Sequence, residues 1–145
     1  MIGLLQRVEG ASVSISNKKV AEIDAGLLVL VGVEQQDSQQ QAQRLFEKLI
    51  RYRVFPDSSG KMNLSLTDIA GGLLLVPQFT LVADTRKGLR PGFSNGASPD
   101  QGKQLFEYLV DHARQNYNNT ESGVFGADMQ ISLVNDGPVT FWLQV

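Results

Sequence analysis

The order of elements readable in this chain predicts an α/β fold in which two β-sheet layers carry helices packed on one side. Three observations lead to that expectation. Ala11, Val13 and Ile15 alternate with Ser12, Ser14 and Ser16, the period of two expected of a strand with one buried face. Gly26 to Val33 is almost wholly apolar, which suits a strand covered on both faces. Two later segments carry helical spacing instead: Ala42, Leu45, Phe46, Leu49 and Ile50 form one stripe, and Leu105, Phe106, Leu109, Val110 and Ala113 form another.

Taken in order, Met1 to Ile15 reads as two strands, Asn17-Lys18-Lys19 as a turn and Val20 to Ile23 as a short strand. Asp37 or Ser38 is positioned to cap the first helix, which should end near Tyr52. Val54-Phe55 begins an extended stretch, Asp57-Ser58-Ser59-Gly60 is a turn, and Leu64 to Leu66 pairs locally. After Gly71-Gly72, Leu73 to Leu81 reads as a central strand interrupted only by Pro77, which cannot donate to a ladder, so the sheet pairing is expected to break there. If that strand continues past the proline, period two puts Gln78 and Thr80 on one face. Ala83 to Ala97 is a loop holding the densest positive cluster, Arg86, Lys87 and Arg90, either phosphate-facing or simply solvated. Ser98-Pro99-Asp100-Gln101 then opens the second helix with an N-cap, a proline at the first position and a capping-box-like glutamine. Beyond the polar stretch Asn116 to Gly123, Met129 to Val134 and Val139 to Val145 read as two strands joined by Asn135 to Pro138. Phe141, Trp142 and Leu143 put apolar bulk on both faces of the last one, so it is central in a sheet or covered by a partner subunit.

Composition narrows the function. At 145 residues the chain fits one domain, 1–145. It has no cysteine, which removes disulfides, thiol nucleophiles and thiolate metal sites together. A net charge of −2 argues against a broad basic face for long nucleic acid, though not against a pocket for a nucleic-acid end. His112, the single histidine, falls beside the second helical stripe toward solvent, so a serine–histidine–acid triad lacks its base. There is no phosphate-loop sequence, no Gly-x-Gly-x-x-Gly fingerprint and no close spacing of histidine or acidic ligands, so no metal and no cofactor is expected. Neither a charged-then-apolar leader nor an apolar run near the ~20 residues of a membrane helix is evident, and the expectation is a soluble, cytoplasmic protein off the membrane.

Two segments stand out from this background: Pro77-Gln78-Phe79-Thr80-Leu81, and Asn135-Asp136-Gly137-Pro138-Val139-Thr140 running into Phe141-Trp142-Leu143. Glycine permits backbone that other residues resist, and proline fixes φ and lacks an N–H, so Gly137-Pro138 shapes the main chain itself. By spacing alone it is ordinary turn chemistry or a backbone ligand site. Together with Gln6-Arg7-Val8, Gly26-Leu27-Leu28-Val29-Leu30, Gly60-Lys61-Met62-Asn63-Leu64, Gly96-Ala97-Ser98-Pro99 and Ala127-Asp128-Met129-Gln130, these segments resemble the bacterial D-aminoacyl-tRNA deacylase family over essentially the whole chain. One departure is Pro77, where the family usually has serine, so a hydroxyl and an N–H are missing.

The resemblance implies a three-layer α/β/β arrangement, its two sheet layers barrel-like and its two main helices on one side. It implies an enzyme that hydrolyses the ester between a D-amino acid, or mischarged glycine, and the 3′ end of tRNA, sparing L-aminoacyl-tRNA. It further implies a homodimer in which a cis Gly137-Pro138 reaches the partner's site and holds the substrate's α-amino group through main-chain oxygen. Gln78, Phe79 and Thr80 would be the reacting platform, with Pro77, Phe125 and Met129 lining the pocket and Arg7 near the Gly137-Pro138 element. Thr80 as nucleophile needs a base that the chain does not offer nearby. The alternative is that the terminal ribose 2′-hydroxyl assists water attack while N–H groups near Phe79 and Thr80 stabilise the oxyanion. Two other readings remain open: a non-catalytic tRNA-end-binding or dimerisation module degenerate at Pro77, and a threonine-nucleophile esterase for small molecules.

Overall fold

The computed structural model describes residues 1–86 and 88–145; Lys87 of the expected positive cluster lies outside them. The opening residues form one strand, β1 (Ile2–Ile15), followed by β2 (Lys18–Ile23) and β3 (Gly26–Gly32). Helix α1 (Gln39–Arg51) follows, then the hairpin β4 (Phe55–Pro56) and β5 (Met62–Leu64), the one-turn α2 (Leu66–Ile69) and strand β6 (Gly72–Pro77). A 3-10 turn (Phe79–Val82), helix α3 (Pro99–Asn116), β7 (Thr120–Ser122) and β8 (Gln130–Gln144) complete the chain.

The two strands expected in Met1 to Ile15 are one because β1 never loses its partner. It pairs antiparallel with β8 from Ile2 opposite Gln144 to Ser14 opposite Gln130. On its other edge β1 changes neighbour, pairing with β3 through Ile2–Val8 and with β2 through Ala11–Ile15. The sheet runs β2-β1-β3-β6-β7, with β6 parallel to both β3 and β7. Sharing β1 between two layers gives the barrel-like form.

Alternation along the apolar strands builds two cores. Leu27, Val29 and Val31 of β3 and Leu73 and Leu75 of β6 face the helices, meeting Leu45, Phe46 and Leu49 of α1 and Phe106 and Leu109 of α3. Leu28, Leu74 and Val76 point the other way, into the barrel with Val8, Val13, Ala21 and Ile23. Each fully buried leucine contributes roughly 1.5–3 kcal/mol. Within the sheet, β3 and β6 approach closely where Gly26 pairs with Gly72, leaving no room for a side chain. A Cβ on Gly26 would lie 2.0 Å from the Gly72 carbonyl oxygen, and one on Gly72 would lie 2.7 Å from Cβ of Ile23.

Caps follow the sequence closely. Ser38 caps α1 in a reciprocal box with Gln41, and Tyr52 closes it. Ser98 accepts the Gln101 N–H at the start of α3 with Pro99 at the first position. The Gln101 side chain does not complete a box there; it donates instead to the carbonyls of Gln35 and Asp37, tying α3 to the loop after β3. His112 is half-buried rather than solvent-facing, edge-on to Phe46 at 5.3 Å and stacked on Tyr108 at 6.1 Å. The stretch Asn116 to Gly123 contains β7, missed because three polar residues on a sheet edge carry no apolar period. Among the described residues no helix is long and apolar enough to cross a membrane.

The buried α-ammonium of Met1 ties both chain ends to the loop after β3. It pairs with Glu34 at 3.0 Å and with Asp37, and it donates to the Val145 carbonyl. Burial pushes the Glu34 carboxyl up, but hydrogen bonds from Gln144 and from the ammonium, with the ammonium's charge, outweigh it and hold the group below its usual range. A carboxyl whose folded pKa is depressed adds stability above its unfolded value of about 4.3 and loses it as pH falls through the folded value.

Three substitutions test these contacts. Gly26→Ala should cost about 3 kcal/mol in urea unfolding, an overpacking against backbone that cannot move aside. Gly10→Ala, whose Cβ meets only an ordinary 3.5 Å contact, should cost about 1 kcal/mol or less. Glu34→Gln should lower the urea midpoint at pH 7, and the gap from the unsubstituted protein should shrink below about pH 4. A gap that stayed constant down to pH 3 would count against that ion pair.

Candidate active site

The central strand stops where the proline stands. Backbone bonds on β6 alternate between its neighbours: Leu73 donates to Asn119 and Leu75 accepts from Gly123 on the β7 side, while Gln78 donates to Val31 on the β3 side. By that alternation the nitrogen of Pro77 faces the β7 side, where pairing has already ended at Ser122. Proline therefore costs the sheet no bond. The expected continuation to Leu81 is replaced by the 3-10 turn Phe79–Val82, closed by Leu81 N–H to the Gln78 carbonyl at 3.3 Å.

Gln78 and Thr80 meet nonetheless, through the turn and not through strand period. The Gln78 amide donates to the Thr80 hydroxyl, and this is the only side-chain hydrogen bond Thr80 makes among the described residues. An amide is no base in either orientation, so nothing here activates the hydroxyl. The N–H groups of Phe79 and Thr80 precede the first repeat of the turn and donate to no backbone carbonyl among the described residues.

This segment edges a cleft of about 520 Å³ between the end of β6, the start of α3 and residues 125–131. The size is that of a small-molecule site. Val33, Val76 and Phe106 give it an apolar floor, and Pro77, Phe125 and Met129, which the resemblance names as pocket-lining, line it together with Gln78 and Phe79 of the implied platform. Phe125 packs on Phe106 at 6.4 Å between ring centres, and the Met129 sulfur accepts the Val124 N–H at 3.3 Å. Phe79 is 64% exposed and tilts against the half-open Phe93 at 5.2 Å, an aromatic pair at the cleft mouth. Phe93 was not singled out in the sequence; it sits in a loop without period, and only folding brings it to Phe79. One cleft wall, Gly96 to Ser98, is held by a Glu34–Gly96 bridge and by Ala97 N–H to the Val33 carbonyl at 3.0 Å. Thr80 lies beside the cleft but outside its lining.

The loop beyond does not offer three free cations to a phosphate. Arg86 is bound to Asp84 through two side-chain contacts at 2.8 and 2.9 Å, and the guanidinium holds the Asp84 carboxyl well below the usual range. Arg90 is exposed.

Gly137, Pro138 and Arg7 lie elsewhere on the chain. The two strands expected around Asn135 to Pro138 are one strand, β8, and the segment is a bulge in it rather than a hairpin turn. Gln6 faces Thr140 and Val8 faces Asn135, so β8 spends five residues where β1 spends two. The Asn135 side chain spans the bulge by accepting the Val139 N–H at 2.9 Å. Gly137 has φ +126°, which disfavours any side chain, and the Gly137-Pro138 bond is cis, as the resemblance implied. Arg7 braces the bulge from below. Its side chain, 11% exposed, pairs with Asp136 at 2.9 Å and donates to the Val54 carbonyl at 2.6 Å. Gly137 and Pro138 themselves are exposed and line no part of this chain's cleft.

Comparison with known proteins agrees with this geometry over its full extent. The sequence profile described as D-Tyr-tRNA(Tyr) deacylase matches residues 4–144. A D-aminoacyl-tRNA deacylase of Pseudomonas putida is 61% identical over 145 residues, and one of Escherichia coli is 57% identical, each covering 100% of both chains. A solved structure named c-Myc DNA Unwinding Element Binding Protein superposes with TM-score 0.95 at 34% identity, covering 100% of this chain and 99% of that one. A probable eukaryotic D-amino acid tRNA deacylase shares the fold, with TM-score 0.86 at 18% identity over 99% and 98% of the two chains. The chain therefore belongs to the D-Tyr-tRNA(Tyr) deacylase family of hydrolases.

Proposed function

We propose that the protein hydrolyses the ester joining a D-amino acid, or glycine mischarged on tRNA(Ala), to the 3′ end of tRNA in the cytoplasm, and rejects L-aminoacyl-tRNA through the Gly137-Pro138 backbone. The observation that carries this reading is the division of the site. The cleft and the exposed bulge occupy different parts of one chain, and both belong to segments that match the family. In a homodimer one chain's bulge enters the other's cleft.

The last strand supports such an assembly. β8 has β1 as its only hydrogen-bonded neighbour among the described residues, and it exposes Val134 by 57% and Trp142 by 52% along an open edge. A long apolar edge strand favours coverage by another chain. Main-chain oxygen of the bulge then holds the α-amino group, and the backbone occupies the space an L side chain needs. A D side chain turns toward the apolar cleft, and glycine has nothing to reject. Arg7 keeps the bulge rigid enough to exclude, which a mobile loop could not do.

In the reaction, water adds to the ester carbonyl carbon and the tetrahedral oxyanion forms beside Phe79 and Thr80, whose free N–H groups are suited to it. The bond to the ribose 3′ oxygen then breaks, and that oxygen takes a proton. The terminal 2′-hydroxyl of the tRNA assists the attack, because Thr80 is bound to an amide and meets no base among the described residues. Gln78 positions Thr80, while Pro77, Phe125 and Met129 shape the cleft. Pro77 costs the sheet no bond, since its nitrogen faces no ladder partner, and it leaves Thr80 and Gly137-Pro138 in place.

Purified protein should deacylate D-tyrosyl-tRNA on the order of 100-fold faster than L-tyrosyl-tRNA, a discrimination within reach of a site that excludes by contact. Equal rates would reject the backbone filter. Thr80→Ala should keep kcat within about tenfold, whereas a tRNA ending in 2′-deoxyadenosine should lose roughly 100-fold or more, the usual size of an acid–base contribution. The reverse pattern would make Thr80 the nucleophile.

A further inference from the structure

We propose that the outward face of α1, formed by Arg44, Lys48 and Arg51, binds consecutive phosphodiesters of the tRNA acceptor stem. This inference rests on the deacylase reading above and names a surface that neither the cleft nor the bulge supplies. The three cations recur at spacings of four and three, so they share one helix face. With Glu47 and Tyr52 they line a shallow groove of about 340 Å³ on a chain whose net charge is −2. Glu47 is the one acid in that groove among the described residues.

None of the three makes an ion pair among the described residues, whereas Lys19, Arg86 and Lys103 are each matched to a nearby carboxylate. Lys48 and Arg51 occupy the last turn of α1, where cations complement the helix carbonyl end. That local effect does not reach Arg44. From Arg44 to Arg51 the helix rises about 10 Å at 1.5 Å per residue. One strand of a nucleic-acid duplex carries about three phosphates over that length.

Position adds a second argument. Arg51 leads into Tyr52, whose ring meets Phe141 edge-on at 5.5 Å, just beyond the bulge. The Val54 carbonyl receives Arg7, and Arg7 holds Asp136 beside Gly137. A continuous set of packed contacts thus fixes the groove next to Gly137-Pro138, and the groove flanks whichever cleft the bulge serves. The proposal requires the stem to leave the aminoacyl end on the bulge side of that cleft, where these cations stand.

The test is the triple variant Arg44→Gln, Lys48→Gln and Arg51→Gln, checked for unchanged thermal midpoint and oligomer mass. Binding of uncharged tRNA is followed by fluorescence anisotropy over a KCl series. Hydrolysis is compared between D-tyrosyl-tRNA and 3′-O-D-tyrosyl-adenosine, which has no stem. The variant should bind tRNA roughly tenfold or more weakly at ~0.1 M salt, with the slope of log affinity against log salt reduced by about 0.7–0.9 for each phosphate no longer neutralised. KM for D-tyrosyl-tRNA should rise in parallel while the adenosine ester keeps its rate. Unchanged tRNA affinity and slope, or an equal fall in rate on both substrates, would overturn the proposal. If the unsubstituted protein cleaves neither ester, the deacylase reading fails, and the binding arm still decides the surface.

Discussion

Everything else in the fold depends on the pairing of β1 with β8 along nearly their whole length. Because β1 trades β3 for β2 between Val8 and Ala11, one strand belongs to both layers. Both register shifts between β1 and β8 fall across Gln6 to Gly10, where that exchange takes place. A two-layer strand must bend, and a bulge is how an antiparallel pair accommodates a bend. The Gly137-Pro138 element therefore sits at the corner of the barrel, exposed, with Arg7 of the opposing strand beneath it.

That placement sets the bulge apart from the cleft on one chain. The cleft gathers at the far end of β6, where β7 has left the sheet and α3 begins, and its wall is tied through Glu34 to the α-ammonium of Met1. The bulge is bound instead to the end of α1 through Arg7 and Val54. One set of contacts preorganises an apolar pocket, and the other stiffens a piece of backbone. The proposed filter, which excludes a side chain, would depend on stiffness more than on any reactive group. The absence of a base near Thr80 among the described residues agrees with a site whose protein part orients and excludes.

Gln78, Phe79, Phe125 and Met129 were picked out by the family resemblance, but the layers and both main helices with their caps were legible in the residues themselves. Those features are local: apolar period and cap chemistry act within a few residues. The sequence misread what depends on pairing partners. Asn135 to Pro138 reads as a turn because turns and bulges use the same residues, and only the uninterrupted presence of β1 makes it a bulge. The missing N–H of Pro77 did mark where the pairing of β6 breaks, but not the 3-10 turn that follows, and β7 went unseen because Thr120, Glu121 and Ser122 pair through backbone alone. The roles proposed for Gly137 and Pro138 came from the family resemblance, since nothing in their spacing distinguishes a filter from a loop.

The central claim is that one chain's bulge works in the other chain's cleft. Mixed dimers test it most directly, using Gly137→Val, which cannot keep the native φ, and Ala127→Trp, which fills the cleft; each variant alone should be inactive. A dimer of one chain of each kind contains a single complete site, made of the cleft from the first and the bulge from the second. The account predicts that it regains hydrolysis of D-tyrosyl-tRNA with selectivity over the L form. A mixed dimer as inactive as its parents would show that cleft and bulge must act within one chain, and would contradict the account.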